Sequence, residues 1–114
     1  MFGLPDQTRL AMQKVFVCYP EIQKVIIYGS RAKGNYRPGS DIDLTLLGED
    51  LDDRILSRVL VELDDLNTPY LMDVSLFEQL GSQALIEHIA RIGQVFYDRA
   101  ALKVTEKECE EGTV

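Results

Sequence analysis

Two short apolar runs, Lys24 to Tyr28 and Asp41 to Leu47, flank a segment that carries Gly29, Gly34 and Gly39. This arrangement constrains the fold more than any other feature of the chain. The first run, KVIIY, is short and β-branched and reads as a buried strand. The second alternates: Ile42, Leu44 and Leu46 point one way, and Asp41, Asp43 and Thr45 the other. Two strands separated only by a loop can pair antiparallel. The loop is long for a hairpin, and long loops in compact domains are often functional. Glycines mark places where backbone bends or comes close to something.

The rest of the chain alternates helix with strand. Pro5 and Asp6-Gln7-Thr8 open a helix running to about Tyr19, with Leu10, Val15, Phe16 and Val17 on a loose apolar face and Pro20 as its stop. Asp52 to Leu66 carries the strongest helical stripe, Ile55, Leu56, Val59, Leu60 and Leu63, and Thr68-Pro69 breaks it. Tyr70 to Phe77 reads as a third strand with Asp73 between Met72 and Val74. Ser82 caps a further helix bearing Leu85, Ile86, Ile89 and Ala90, with Gly93 at its C-terminal end. Val95, Phe96 and Tyr97 form a last short strand or a docked segment. Residues from about 100 to 114 read as a frayed acidic tail. The expected fold is α/β: a small mixed β-sheet with helices packed on it.

The length of 114 residues points to one domain spanning 1–114. A formal net charge of −7 repels nucleic acid and anionic lipid at long range, so a processive polymerase or direct DNA binding is disfavoured. A local basic site within an acidic protein remains compatible with that charge. Cys18 and Cys109 are too few for a disulfide scaffold and lack metal-ligand spacing; they read as reduced thiols. The N-terminus shows no basic segment followed by an apolar one, and no apolar run approaches the ~20 residues that span a bilayer. The expected location is the cytoplasm.

Cations followed by paired acids suggest that a polyanion and a metal are held together. Asp41 and Asp43, two apart on a strand, share a face with ~6.6 Å between their Cα atoms, so they can converge on the same cations. Asp73 sits in an apolar context that otherwise disfavours a carboxylate. If its strand neighbours the first, three carboxylates crowd one patch and raise one another's pKa. A divalent cation relieves that repulsion, and hard oxygen ligands suit Mg²⁺, with Mn²⁺ as an alternative. Two such ions ~3.5–4 Å apart can activate an attacking oxygen and stabilise a leaving one. In the loop, glycine lets backbone N–H groups approach phosphate oxygens. Ser30 and Ser40 add hydroxyls; Arg31, Lys33 and Arg37 add charge. A short helix opening at Arg31-Ala32-Lys33-Gly34 would favour an anion at its N-terminus. Gly29 and Gly34 have P-loop spacing, but Asn35-Tyr36 stands where Lys and Ser/Thr are required.

The segment GSRAKGNYRPGSDIDL, Gly29 to Leu44, resembles the signature of the nucleotidyltransferase superfamily that includes DNA polymerase β. The short chain is similar to the minimal nucleotidyltransferase (MNT) domain proteins. That resemblance implies that Gly29 and Ser30 hold a nucleoside triphosphate and that Asp41 and Asp43 bind the metals. It implies that Asp73, in LMDVSLF, completes the metal site and helps deprotonate the acceptor. Lys33 stands where relatives often carry Arg, and it offers a point charge without the guanidinium fork. The resemblance further implies transfer of AMP from ATP, and pairing with a helical HEPN-type or substrate-binding protein. Several relatives act as antitoxins that adenylylate the toxin.

Plainer readings stand beside these. The glycine segment can be a turn with solvated cations, and Asp41, Asp43 and Asp73 can be polar strand positions. Tyr28 and Tyr36 read as packing residues rather than base contacts, and His88 as a surface histidine. The leading function is metal-dependent transfer of a nucleotide to a hydroxyl on, or bound by, a separate helical partner. An apolar patch near Asp73 and the last helix is expected where that partner docks. The alternatives are a non-catalytic antitoxin that neutralises a HEPN-type toxin by contact, and a nucleotide sensor without turnover.

Overall fold

The computed structural model describes residues 3–34 and 41–102. In chain order it contains α1 (Asp6–Val17), β1 (Lys24–Tyr28), α2 (Ser30–Lys33), β2 (Ile42–Leu47), α3 (Asp53–Asp64), β3 (Met72–Leu76), α4 (Gln83–Ile92), β4 (Gln94–Asp98) and α5 (Arg99–Leu102). A 3-10 turn, Phe77–Gln79, follows β3.

Local chemistry sets most of these boundaries. Asp52 lies in extended backbone and accepts a hydrogen bond from the Ile55 amide at 3.0 Å, which satisfies an orphan donor of α3. Ser82 does the same for α4 through the Leu85 amide at 3.2 Å. The first helix stops at Val17, a turn's fraction before the expected Tyr19; Cys18 and Tyr19 fold back onto the Val15 and Phe16 carbonyls instead. Gly93 ends α4 in extended backbone with φ −62°, not in the left-handed conformation that a helix-ending glycine usually supplies. Its reason is space: a Cβ there would run into the Ile89 carbonyl oxygen and lie 2.7 Å from Ile26 Cγ2. The segment around Val95 is a strand.

The strands form one mixed sheet in the order β3-β2-β1-β4. β1 and β2 pair antiparallel, as do β1 and β4, while β2 and β3 run parallel with α3 as their crossover. Alternation in β2 gives the sheet its two faces. Ile42, Leu44 and Leu46 are at most 1% exposed and join Val25, Ile27, Val74 and Leu76 in the core. α1 and α3 close that face with Met12, Phe16, Val59 and Leu63. The Phe16 ring packs edge-on against Phe96, with centroids 6.2 Å apart. A hydrogen bond between the Tyr19 phenol and Glu62 ties the end of α1 to α3.

The other face of the sheet carries Asp43, Thr45, Tyr28 and Ile26, and α4 covers part of it. Ile89 of α4 is buried apart from the main core, and Gly93 brings the helix end against Ile26. Because α4 covers only part of this face, the carboxylate end of the strands is left accessible. The expected acidic tail lies almost wholly outside the described residues.

Candidate active site

Strand register builds the site. Asp43 pairs with Asp73 across the parallel ladder, and with Tyr28 across the antiparallel one. Registered residues share a face, so Asp73, Asp43 and Tyr28 form a row across three strands. Asp41 stands one residue before β2 and is exposed; Asp73 is exposed, Asp43 half-buried and Tyr28 buried. The two-residue spacing places Asp41 on the same side as Asp43. The neighbourhood of Asp73 and Asp43, which the sequence left conditional, is therefore a property of the β2–β3 ladder.

Charge is concentrated in that row. Burial raises the Asp43 carboxyl above its usual range, and the Asp73 and Asp41 carboxylates raise it further. Burial also raises the Tyr28 phenol; a hydrogen bond with Ser75 works in the opposite direction, and Asp43 and Asp73 push it up again. Beneath the acids, Thr45 is fully buried and its hydroxyl lies 3.3 Å from that of Ser75. Among the described residues, no three acids, histidines or cysteines gather into a ready-made metal cage. The donor set nonetheless fits a hard divalent cation. Adjacent carboxylate oxygens, one partly desolvated and destabilised by its neighbours, gain from a cation between them.

The glycine turn lies against this row. Gly29 has φ +77°, and a Cβ there would run into Asp43 Oδ2. The positive φ favours glycine, and the missing Cβ lets the backbone before α2 come within contact of the central carboxylate. Gly34 has φ +86° with open space where a Cβ would be. Ser30 opens α2, and Lys33 is exposed at its end. Arg31, which the sequence suggests as a phosphate-binding cation with a solvated side chain as the plainer alternative, is buried. It is 3% exposed, with its guanidinium 4.9 Å from the ring centroid of Tyr70. Ser40, Arg37 and Tyr36 lie outside the described residues. His88 is half-buried on α4.

Three contributors escaped the sequence reading. Ser75 follows Asp73 at strand period and was legible in principle. Tyr70 and Gln94, whose amide donates to the Ala32 carbonyl at 2.8 Å, act on α2 from distant positions and left no local signal. A cavity of about 420 Å³, lined by Gln23, Lys24, Leu47, Asp98, Arg99 and Ala100, lies at the opposite end of the strands. It contains none of the three acids and is not the candidate site.

The polymerase beta, nucleotidyltransferase family matches residues 11–101, which takes in the glycine turn, all three acids and every strand. The chain belongs to this family. Its four-stranded mixed sheet is the nucleotidyltransferase fold. Solved structures share that architecture. A toxin–antitoxin crystallised with AMP-PNP superposes with a TM-score of 0.64 at 18% identity, over 95% of this chain and 83% of that one. A tri-AMPylated Shewanella oneidensis HEPN toxin in complex with MNT antitoxin gives 0.61 at 17%, over 92% and 80%. The toxin–antitoxin MntA-HepT gives 0.56 at 18%, over 94% and 79%. At these identities the likeness is one of fold. No curated protein matches the chain in sequence. Among the described residues, no helix of this nucleotidyltransferase is long and apolar enough to cross a membrane.

Proposed function

We propose that this nucleotidyltransferase moves AMP from ATP to a hydroxyl on a separate helical protein of the HEPN type. The observation that carries this reading is the Asp43–Asp73 pair, set side by side by the β2–β3 register with the bare backbone of Gly29 against Asp43. Clustered carboxylates cost stability, and a purely structural strand has no use for them. The AMP-PNP and the AMPylated toxin in structures of the same fold support the choice of nucleotide and of partner.

In this reading Asp41, Asp43 and Asp73 hold Mg²⁺. When bound, the cation would neutralise the acids and spread the negative charge of the triphosphate. Gly29 and Gly34 leave backbone N–H groups open to phosphate oxygens, Ser30 and Ser40 contribute hydroxyls, and the exposed Lys33 adds positive charge. The acceptor oxygen attacks the α-phosphorus in line, the bond to pyrophosphate breaks, and pyrophosphate departs. Asp73, the more exposed of the registered pair, takes the acceptor proton.

The partner reading draws on Leu71. This residue is 74% exposed and lies two positions before Asp73, so an apolar side chain stands on the rim of the site. Docking there would bring a partner hydroxyl to the carboxylates. The experiment is to incubate the chain with ATP, Mg²⁺ and the helical protein, and to follow pyrophosphate and the partner's mass. AMP addition that depends on Asp43 supports transfer. Tight partner binding with no pyrophosphate from any nucleotide would instead support neutralisation by contact alone.

A further inference from the structure

We infer that Arg31 is a positioning residue that fastens the glycine turn to the strand carrying Asp73, rather than a phosphate ligand. Helix α2 has only four residues, too few to hold a shape by its own hydrogen bonds. Its place must come from tertiary ties, and the structure supplies one on each side. Gln94, at the start of edge strand β4, donates its side-chain amide to the Ala32 carbonyl at 2.8 Å. Toward the other edge, the Arg31 guanidinium stacks over Tyr70, which leads into β3. Ala32 itself is 7% exposed and belongs to the core. The helix that follows the turn is thus held between the two edges of the sheet.

The Arg31–Tyr70 contact joins parts that the sheet leaves unjoined. β1 and β3 are separated by β2 and share no ladder. Arg31 lies two residues after Gly29, and Tyr70 lies three before Asp73. Through this contact the turn that touches Asp43 and the strand that carries Asp73 are fixed to each other directly. A planar guanidinium, weakly hydrated and rigid, suits a buried stack on an aromatic face; a lysine ammonium does not. At 3% exposure, the guanidinium is committed to the interior. The exposed cation of α2 is Lys33.

The value of such a clamp rests on the nucleotidyl-transfer reading, so its test includes a readout that does not. In the full chain, Tyr70→Leu and Arg31→Lys should both speed amide exchange at Lys33, whose N–H bonds the Gly29 carbonyl at 3.2 Å, by about tenfold or more. Tyr70→Phe, which keeps the ring face, should exchange like the wild type. With partner and ATP, Tyr70→Leu and Arg31→Lys should each lower kcat on the order of 100-fold while KM for ATP stays within about threefold. The double variant should be no slower than the slower single one. Unchanged exchange at Lys33 in both single variants would overturn the clamp. So would an Arg31→Lys variant with intact kcat and a raised KM beside a normal Tyr70→Leu, which is the pattern of a phosphate ligand. A wild-type chain that transfers nothing would contradict the proposed reaction and leave the exchange result to decide the clamp.

Discussion

Asp43 is where the structure concentrates its electrostatic cost, and the direction of that cost is testable. Its carboxyl is raised above 3.8 in the folded chain, so ionising it is harder folded than unfolded. The folded state therefore loses stability as pH climbs from 3.8 through the raised value, and carries the full penalty once pH is above it. In the absence of divalent cations, Asp43→Asn should raise Tm at about pH 7, and the gain should shrink as pH falls through that window. Mg²⁺ should raise the Tm of the wild type and leave that of Asp43→Asn nearly unchanged, because only the former gains a bound ion. Thermal melts across pH, with and without Mg²⁺, check both statements; a lower Tm for Asp43→Asn without cations would contradict the charge assignment. Gly29→Val should act in the opposite sense. It places a β-branched side chain at φ +77° and against Asp43, costing about 1–3 kcal/mol in chemical denaturation and closing the approach to phosphate.

At the scale of elements, helix α3 shows which parts of the fold could be read in advance. Its stripe predicted a buried face, and Val59 and Leu63 are in the core. Leu60 on the same stripe is 37% exposed. Leu63→Ala should cost about 2–5 kcal/mol, and Asp52→Ala, which removes only the cap, about 1 kcal/mol, both by denaturant titration. The strands were equally legible, since period-two alternation in β2 fixes which face is core and which carries Asp41 and Asp43. Two kinds of information were not. Strand order is one, because nothing local states that β3 lies parallel beside β2, and on that order the Asp43–Asp73 pair depends. Long-range side-chain contact is the other. Arg31 in a glycine-rich segment looks the same in sequence whether it faces phosphate or stacks on Tyr70. Gly93 was legible as the end of α4, but the manner of that ending was not: the backbone is extended, and a Cβ would run into the Ile89 carbonyl of the helix itself as well as Ile26 on a strand far away in sequence.

For the molecule as a whole, the accessible carboxylate end of the sheet and the exposed Leu71 beside it are where, on the proposed reading, a partner would present its hydroxyl. Positioning two reactants supplies much of the rate of a transfer, so the isolated chain should turn over slowly and the partner should complete the site. Leu71→Asp should leave Tm unchanged, since the side chain is 74% exposed, and weaken partner binding by about tenfold in calorimetry. A full-affinity Leu71→Asp variant would move the docking surface elsewhere. The most direct test of the central claim is intact-mass analysis of the helical partner after incubation with this chain, ATP and Mg²⁺. The proposed chemistry predicts AMP on a partner hydroxyl with the wild-type chain, and none with Asp43→Asn or when the cation is chelated. An unmodified partner in the wild-type reaction, or equal modification with Asp43→Asn, would contradict it.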